Sequence, residues 1–146
     1  TVVGALFNRE DSKINIAHVG DSRAYRVRAG VMTQLTRDHS LLNDYLLVMP
    51  NMSDAQRERL PSNVITRALG MQQAVAVDVA VEDVLPGDLF VLCSDGLNGM
   101  VSDERILEIV LDSPSNVENV AKTLIAEANR NGGEDNITVV VVQITA

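Results

Sequence analysis

The stretch Leu89-Phe90-Val91-Leu92-Cys93-Ser94-Asp95-Gly96-Leu97 is an unbroken apolar run that ends in a carboxylate beside a glycine. A second stretch, Gly132-Gly133-Glu134-Asp135-Asn136-Ile137-Thr138-Val139-Val140-Val141-Val142, places a carboxylate at the entrance to an equally apolar run. Short runs rich in β-branched and aliphatic residues, bounded by turn residues, read as buried strands. A third acidic turn, Val19-Gly20-Asp21-Ser22-Arg23, follows the apolar stretch from Ile14 to His18. A carboxylate where a buried strand meets a turn can leave the core and face a hard cation, the arrangement that oxygen-ligand ions such as Mg²⁺ or Mn²⁺ require. Each also has an ordinary reading: an Asp in a Gly-containing turn bonds nearby backbone N–H groups, and Asp21 can pair locally with Arg23. Three such turns in one small domain make a divalent-cation site at Asp21, Asp95 and Asp135 the leading expectation.

Outward from these turns, residues 2–8, 14–19, 23–28 and 31–35 read as successive strands, with Ala29-Gly30 as a hairpin connection. Leu41, Leu42, Tyr45, Leu46 and Met49 then recur at helical spacing up to Pro50, and a second short helix begins near Ser53 and stops at Pro61. Residues 40–63 thus form a helical, polar excursion between strands, the natural place for a flap. Val75, Val77, Val79 and Val81 alternate with smaller or polar residues as in a half-buried strand. Helices follow after Ser102, with Ile106, Ile109 and Val110 on one face, and after a capping-box pattern at Ser115-Asn116-Val117-Glu118. The second of these stops near Gly132-Gly133, and the final strand runs from Ile137 to about Ile144. Strands first, then two helices, then one returning strand predict an α+β domain over residues 1–146, with antiparallel sheets and helices on an outer face.

Composition narrows the chemistry. The 146 residues suit one domain, and 46% hydrophobic against 22% charged residues mark it as globular. A net charge of −8 argues against a broad nucleic-acid footprint or attraction to an anionic membrane, and suits cations. The single cysteine, Cys93, rules out an intramolecular disulfide and fits a reducing, cytoplasmic compartment. No apolar run reaches membrane-spanning length. Two histidines and one cysteine cannot build an ordinary zinc site. His18, alternating with Ile14 and Ile16, reads as structural before catalytic. His39 reads as a residue at a helix entrance.

Five ordered segments carry a resemblance: Val19–Tyr25, Leu35-Thr-Arg-Asp-His-Ser40, Asn63-Val-Ile-Thr-Arg-Ala-Leu-Gly70, Cys93–Leu97 and Gly132–Val139. Together they resemble the metal-dependent serine/threonine protein phosphatases of type 2C, in the compact bacterial branch of that PPM family. The resemblance implies a four-layer αββα sandwich and a binuclear Mn²⁺ or Mg²⁺ centre, where an activated water attacks a phosphoserine or phosphothreonine ester of a protein substrate. By motif, Asp95 and Asp135 would be ligands of the main centre, and Asp21 would help hold a further, weaker metal. Asn136 would support the site from behind, and Ser40, Asn43 and Asp44 would belong to the flap.

The resemblance covers the later part of such a domain. The family's phosphate-binding Arg, its early acidic ligand, its Asp-Gly-x-Gly-Gly segment and the proton donor have no counterpart here, so no catalytic proton donor is assigned. The chain is therefore expected to be the C-terminal portion of a phosphatase domain, inactive by itself, with open sheet edges able to associate in trans. A non-catalytic regulatory or scaffold domain, and a plain Ca²⁺-binding domain, remain the competing readings.

Overall fold

The computed structural model describes residues 1–61 and 64–145. Ser62 and Asn63, at the end of the expected flap and the start of one motif, lie outside the described residues, as does Ala146. The elements run β1 (Val2–Asn8), β2 (Lys13–Val19), β3 (Arg23–Arg28), β4 (Val31–Gln34), α1 (Leu41–Val48), α2 (Asp54–Arg57), β5 (Asp78–Asp83), β6 (Leu89–Cys93), α3 (Asp95–Asn98), α4 (Asp103–Asp112), α5 (Val117–Arg130) and β7 (Val139–Gln143). They build two antiparallel sheets, ordered β1-β2-β5 and β4-β3-β6-β7.

Strand β6 is buried along its whole length, as its unbroken apolar sequence requires of a strand covered on both faces. Leu89, Val91 and Cys93 face the helices, in a core with Leu97, Ile106, Val110, Val120 and Leu124. Phe90 and Leu92 face the other sheet, against Ile14 and Ile16. Phe90 meets Phe7 edge to face at 5.8 Å, the geometry that aromatic quadrupoles favour. Helix α5 owes its place to the stripe Val120, Leu124 and Ala128, all fully buried. Burying one such leucine is worth about 1.5–3 kcal/mol, more than a helix of this length gains from propensity alone.

Two sequence expectations need correction. The capping box at Ser115 does not form; Asn116 caps α5, its side chain accepting from the Asn119 N–H at 3.0 Å, because a turn from Ser113 to Asn116 carries the chain one residue further before the helix begins. The strand placed over 75–81 lies at 78–83, and its valines point outward, with Val79 and Val81 63% and 54% exposed. Register explains this: Ala80 pairs with Ile16 and Glu82 with Ile14, so the buried isoleucines set which face of β5 turns inward. The inward Glu82 is tolerated because Arg26 of the facing sheet donates to it at 2.8 Å. The α+β sandwich is as expected: the two sheets pack face to face, with helices α3 to α5 against one of them. The outer face of β1-β2-β5, carrying Leu6, Val79 and Val81, has no helix against it among the described residues.

Helices α1 and α2 contain no buried residue and ride on the surface, with Met52 between them tucked in. The expected flap residues have helix-building tasks there. The Ser40 hydroxyl accepts from the Asn43 N–H at 3.4 Å, and Asp44 lies 3.5 Å from Arg37. Among the described residues no helix is long and apolar enough to cross a membrane.

Candidate metal centre

Sheet register brings the three acidic turns to one end of the molecule. Arg23 opens β3 opposite Cys93, which closes β6, and Cys93 in turn faces Val139, which opens β7. Asp21, Asp95 and Asp135 stand just outside these three neighbouring positions, so all three emerge at the same sheet end.

The turns holding Asp95 and Asp135 are locked together by the Ser94 side chain and by a close approach at Gly96. The Ser94 hydroxyl donates to the Asn136 carbonyl at 2.8 Å and accepts from the Thr138 N–H at 3.0 Å. Gly96 sits directly against the Asn136 carbonyl; a Cβ there would come within 2.8 Å of the carbonyl carbon and closer still to the oxygen. Glycine at 96 is thus a close-approach residue. Each Asp also makes its expected turn bond through one oxygen, Asp95 from the Gly96 N–H at 3.0 Å and Asp135 from the Asn136 N–H at 2.6 Å. Asn136 supports the Asp135 turn through its backbone.

Asp21 is different in kind. Its Oδ1 is buried and has no hydrogen-bond partner, and the local pairing with Arg23 does not form. Arg23 instead grips Asp38 through Nε and a terminal nitrogen, at 2.9 and 2.7 Å, while another terminal nitrogen reaches the Tyr25 hydroxyl, which donates to Asp103. Burial, and after it the negative charge of Asp95, push the Asp21 carboxyl above the usual carboxylate range. A buried carboxylate oxygen left unpaired costs roughly 1–3 kcal/mol, and a cation would remove both causes at once. The donors at this sheet end are all oxygen, the set suited to Mg²⁺ or Mn²⁺.

A second cluster requires a different reading. Ligand atoms of His18, His39 and Asp78 lie within 4.8 Å of one another, which by distance alone suits a metal. Arg67 already supplies the cation there, donating to Asp78 Oδ1 at 2.6 Å and lying 3.1 Å from His39 Nε2. Partial burial pushes the Asp78 carboxyl up, but hydrogen bonds from His39 and Arg67 outweigh it and hold the group below its ordinary range. The cluster is an ion pair with histidine support. His18 is structural, as its alternation with Ile14 and Ile16 predicts: it is buried and donates from Nε2 to the Arg37 carbonyl at 2.8 Å. His39 does not enter the helix, since Ser40 caps it; its role was invisible in sequence because its partners Gly20, Thr66 and Asp78 come from three distant segments. Cys93 is inert, its thiol pushed up to about 12 chiefly by burial.

The family model for stage II sporulation protein E (SpoIIE) matches residues 44–145, more than half of the chain. The chain belongs to this SpoIIE/PP2C-type family. Among similar curated proteins, the serine/threonine phosphatase stp of Listeria innocua is 40% identical over 143 residues, 98% of this chain and 56% of its own length. The protein phosphatase PhpP of Streptococcus pneumoniae is 38% identical over 136 residues, 92% of this chain and 54% of its own length. The chain therefore spans about half the length of the curated relatives it matches. Among solved structures of the family, the Mycobacterium tuberculosis serine/threonine phosphatase PstP/Ppp superposes with a TM-score of 0.86 at 34% identity, over 99% of this chain and 59% of that one. The PstP catalytic domain in complex with two manganese ions superposes with a TM-score of 0.83, also at 34% identity, over 99% of this chain and 58% of that one. The α+β architecture with antiparallel sheets is that of these neighbours.

Proposed function

We propose that the chain is the C-terminal portion of a PP2C-type protein serine/threonine phosphatase domain. In this reading Asp95 and Asp135 hold a binuclear Mn²⁺ or Mg²⁺ centre and Asp21 a further ion beside it. The observation that carries the reading is the convergence of the three turns at one sheet end, with the Asp21 Oδ1 buried and unpartnered. When bound, such paired cations supply water activation and neutralise the charge of a phosphate. The chain's own contribution is positional. Ser94 and Gly96 fix the Asp135 turn against the Asp95 turn, so both carboxylates are held by rigid strands. Asp38 draws Arg23 away from Asp21, so that guanidinium does not compete for the carboxylate.

The substrate is a phosphoserine or phosphothreonine protein, and the surface-riding segment of α1 and α2 is the flap over it. Proton donation and phosphate contact are assigned to no residue of this chain. The activity belongs to the domain at the length seen in the relatives, and the chain alone is expected not to turn over. The free, buried thiol of Cys93 is compatible with a cytoplasmic location, and reversing protein phosphorylation would place the domain in signalling. Among the described residues β7 is paired on one side only, and the open edge permits association in trans, which size-exclusion chromatography would detect.

The test is phosphate release from a phosphothreonine peptide in excess Mn²⁺, by the full-length domain and by this chain. The domain should lose turnover with EDTA and with Asp95→Asn or Asp135→Asn. Undiminished turnover in either variant would overturn the ligand assignment. Robust Mn²⁺-dependent turnover by the chain alone would overturn the division of labour.

A further inference from the structure

We infer that His39 is a positioning residue that fixes the Asp21 turn to the segment 64–67 at the end of the flap. This rests on the reading of Asp21 given above and deepens it. The His39 ring is 1% exposed, and its residue is engaged from four directions. Its backbone N–H donates to the Gly20 carbonyl at 2.9 Å, and the Gly20 N–H donates back to His39 Nδ1 at 3.0 Å. Its carbonyl accepts from the Thr66 N–H at 2.9 Å. Its Nε2 lies 3.2 Å from Asp78 Oδ2, and Arg67 donates to the other oxygen of the same carboxylate.

The tautomer follows from these partners. An Nδ1 that accepts from a backbone N–H leaves the ring proton on Nε2, where Asp78 receives it; Arg67 Nη1, 3.1 Å from the same nitrogen, then donates to Asp78 and the Ala76 carbonyl and not to the ring. His18 stacks on the ring at 4.6 Å with the planes 19° apart, and its own bond to the Arg37 carbonyl keeps that second ring in place. The ring of His39 therefore has one orientation. Gly20 is the residue before Asp21 and has a φ of +108°, so the turn depends on what holds Gly20 there. The reciprocal pair of bonds to His39 does so.

The two residues after His39 also receive the chain returning from the flap. Ser40 bridges Ile65, and the Leu41 N–H donates to the Val64 carbonyl at 2.9 Å. While the Thr66 bond holds, a displacement of residues 64–67 tilts His39 and carries Gly20 and the Asp21 turn with it. Partners that orient a metal ligand from behind typically contribute 10–100-fold to metal affinity.

Two substitutions separate the ring's two ends. In His39→Asn the amide oxygen takes the place of Nδ1 and still accepts from Gly20. In His39→Gln the amide reaches the place of Nε2 and still donates to Asp78, but nothing faces the Gly20 N–H. Mn²⁺ binding to the full chain is measured by calorimetry, with hydrogen exchange at the Gly20 and Asp21 amides and with Asp21→Asn in parallel. His39→Gln should weaken the Asp21-dependent Mn²⁺ binding about 10-fold and speed exchange at Gly20, while His39→Asn stays close to wild type in both. Equal losses in the two variants, or wild-type exchange and affinity in His39→Gln, would overturn the inference. Should Asp21→Asn leave Mn²⁺ binding intact, the metal reading of Asp21 fails, and exchange at Gly20 then decides alone whether His39 holds the turn.

Discussion

Gly96→Ala is the sharpest perturbation available, because the structure sets both its size and its direction. A methyl group at 96 would stand 2.8 Å from the Asn136 carbonyl carbon and 3.3 Å from the Ile137 nitrogen. Carbon atoms settle at about 3.5–4.0 Å, so the β7 entrance must retreat by on the order of 1 Å. Nothing on that side is a flexible side-chain tip; the neighbour is backbone, already tied to Ser94 through its carbonyl and the Thr138 N–H. Overpacking of this kind costs about 1–3 kcal/mol. For a chain of 146 residues, each kcal/mol lowers Tm by roughly 3 °C, giving a loss of roughly 3–9 °C. The retreat carries Asp135 away from Asp95, so Mn²⁺ affinity should fall by more than the stability loss explains. Thermal unfolding with and without Mn²⁺ reads both quantities. A Gly96→Ala protein with unchanged Tm and unchanged Mn²⁺-dependent stabilisation would refute the claim that this contact sets the spacing of the two carboxylates.

Asp21→Asn should make the metal-free protein slightly more stable at neutral pH, by less than about 1 kcal/mol after solvent screening, and should remove part of the stabilisation by Mn²⁺. The sign follows from the raised Asp21 pKa: the folded state binds that proton more tightly, so wild-type stability declines as pH rises from the ordinary carboxylate range through the raised value, and the variant's profile is flatter there. Asp88 has the opposite sign. Burial pushes its carboxyl up, but the Arg28 guanidinium and the Leu85 N–H outweigh this and hold it below the ordinary range. Its contribution is therefore complete above about pH 4 and lost as pH falls through the depressed value. Asp88→Asn should cost about 2 kcal/mol at neutral pH and soften the acid limb of the Tm profile; an unchanged limb would count against the pairing. Leu124→Ala, in a fully buried position of α5, should cost about 2–5 kcal/mol while leaving Mn²⁺ affinity of the folded protein unchanged.

What could be read in sequence was local. Asp95 and Asp135 stand out because an apolar strand, a turn glycine and a carboxylate lie within a few consecutive residues, and the strands formed where those runs placed them. Their convergence with Asp21 depends on the pairing of β6 with both β3 and β7, which no local pattern encodes. The facing of β5 was misread for a related reason. Val79 and Val81 form its more apolar phase, yet Asp78, Ala80 and Glu82 turn inward, because their cross-strand partners include the buried Ile14 and Ile16. The role of His39 left no sequence signal, since Gly20, Thr66 and Asp78 become its neighbours only after folding. The ordered motifs carried the family correctly even though one of their residues, Asn63, lies outside the described structure.

The central position of β6 also governs when this domain can form during synthesis. β3 emerges early, yet its inner neighbour does not exist until roughly 60 residues later have been added. At about 5–20 residues per second, the ribosome leaves β3 without that neighbour for roughly 3–12 seconds. Throughout that interval Ala24 and Val27, both buried in the finished domain, have no β6 to cover them. The hairpin of β3 and β4, with Arg26 and Arg28 spaced along one of its strands, must stay soluble on its own until β6 arrives. Those two arginines later find Glu82 and Asp88. Before that they are the charges that keep a waiting, half-apolar hairpin from pairing with the wrong strand.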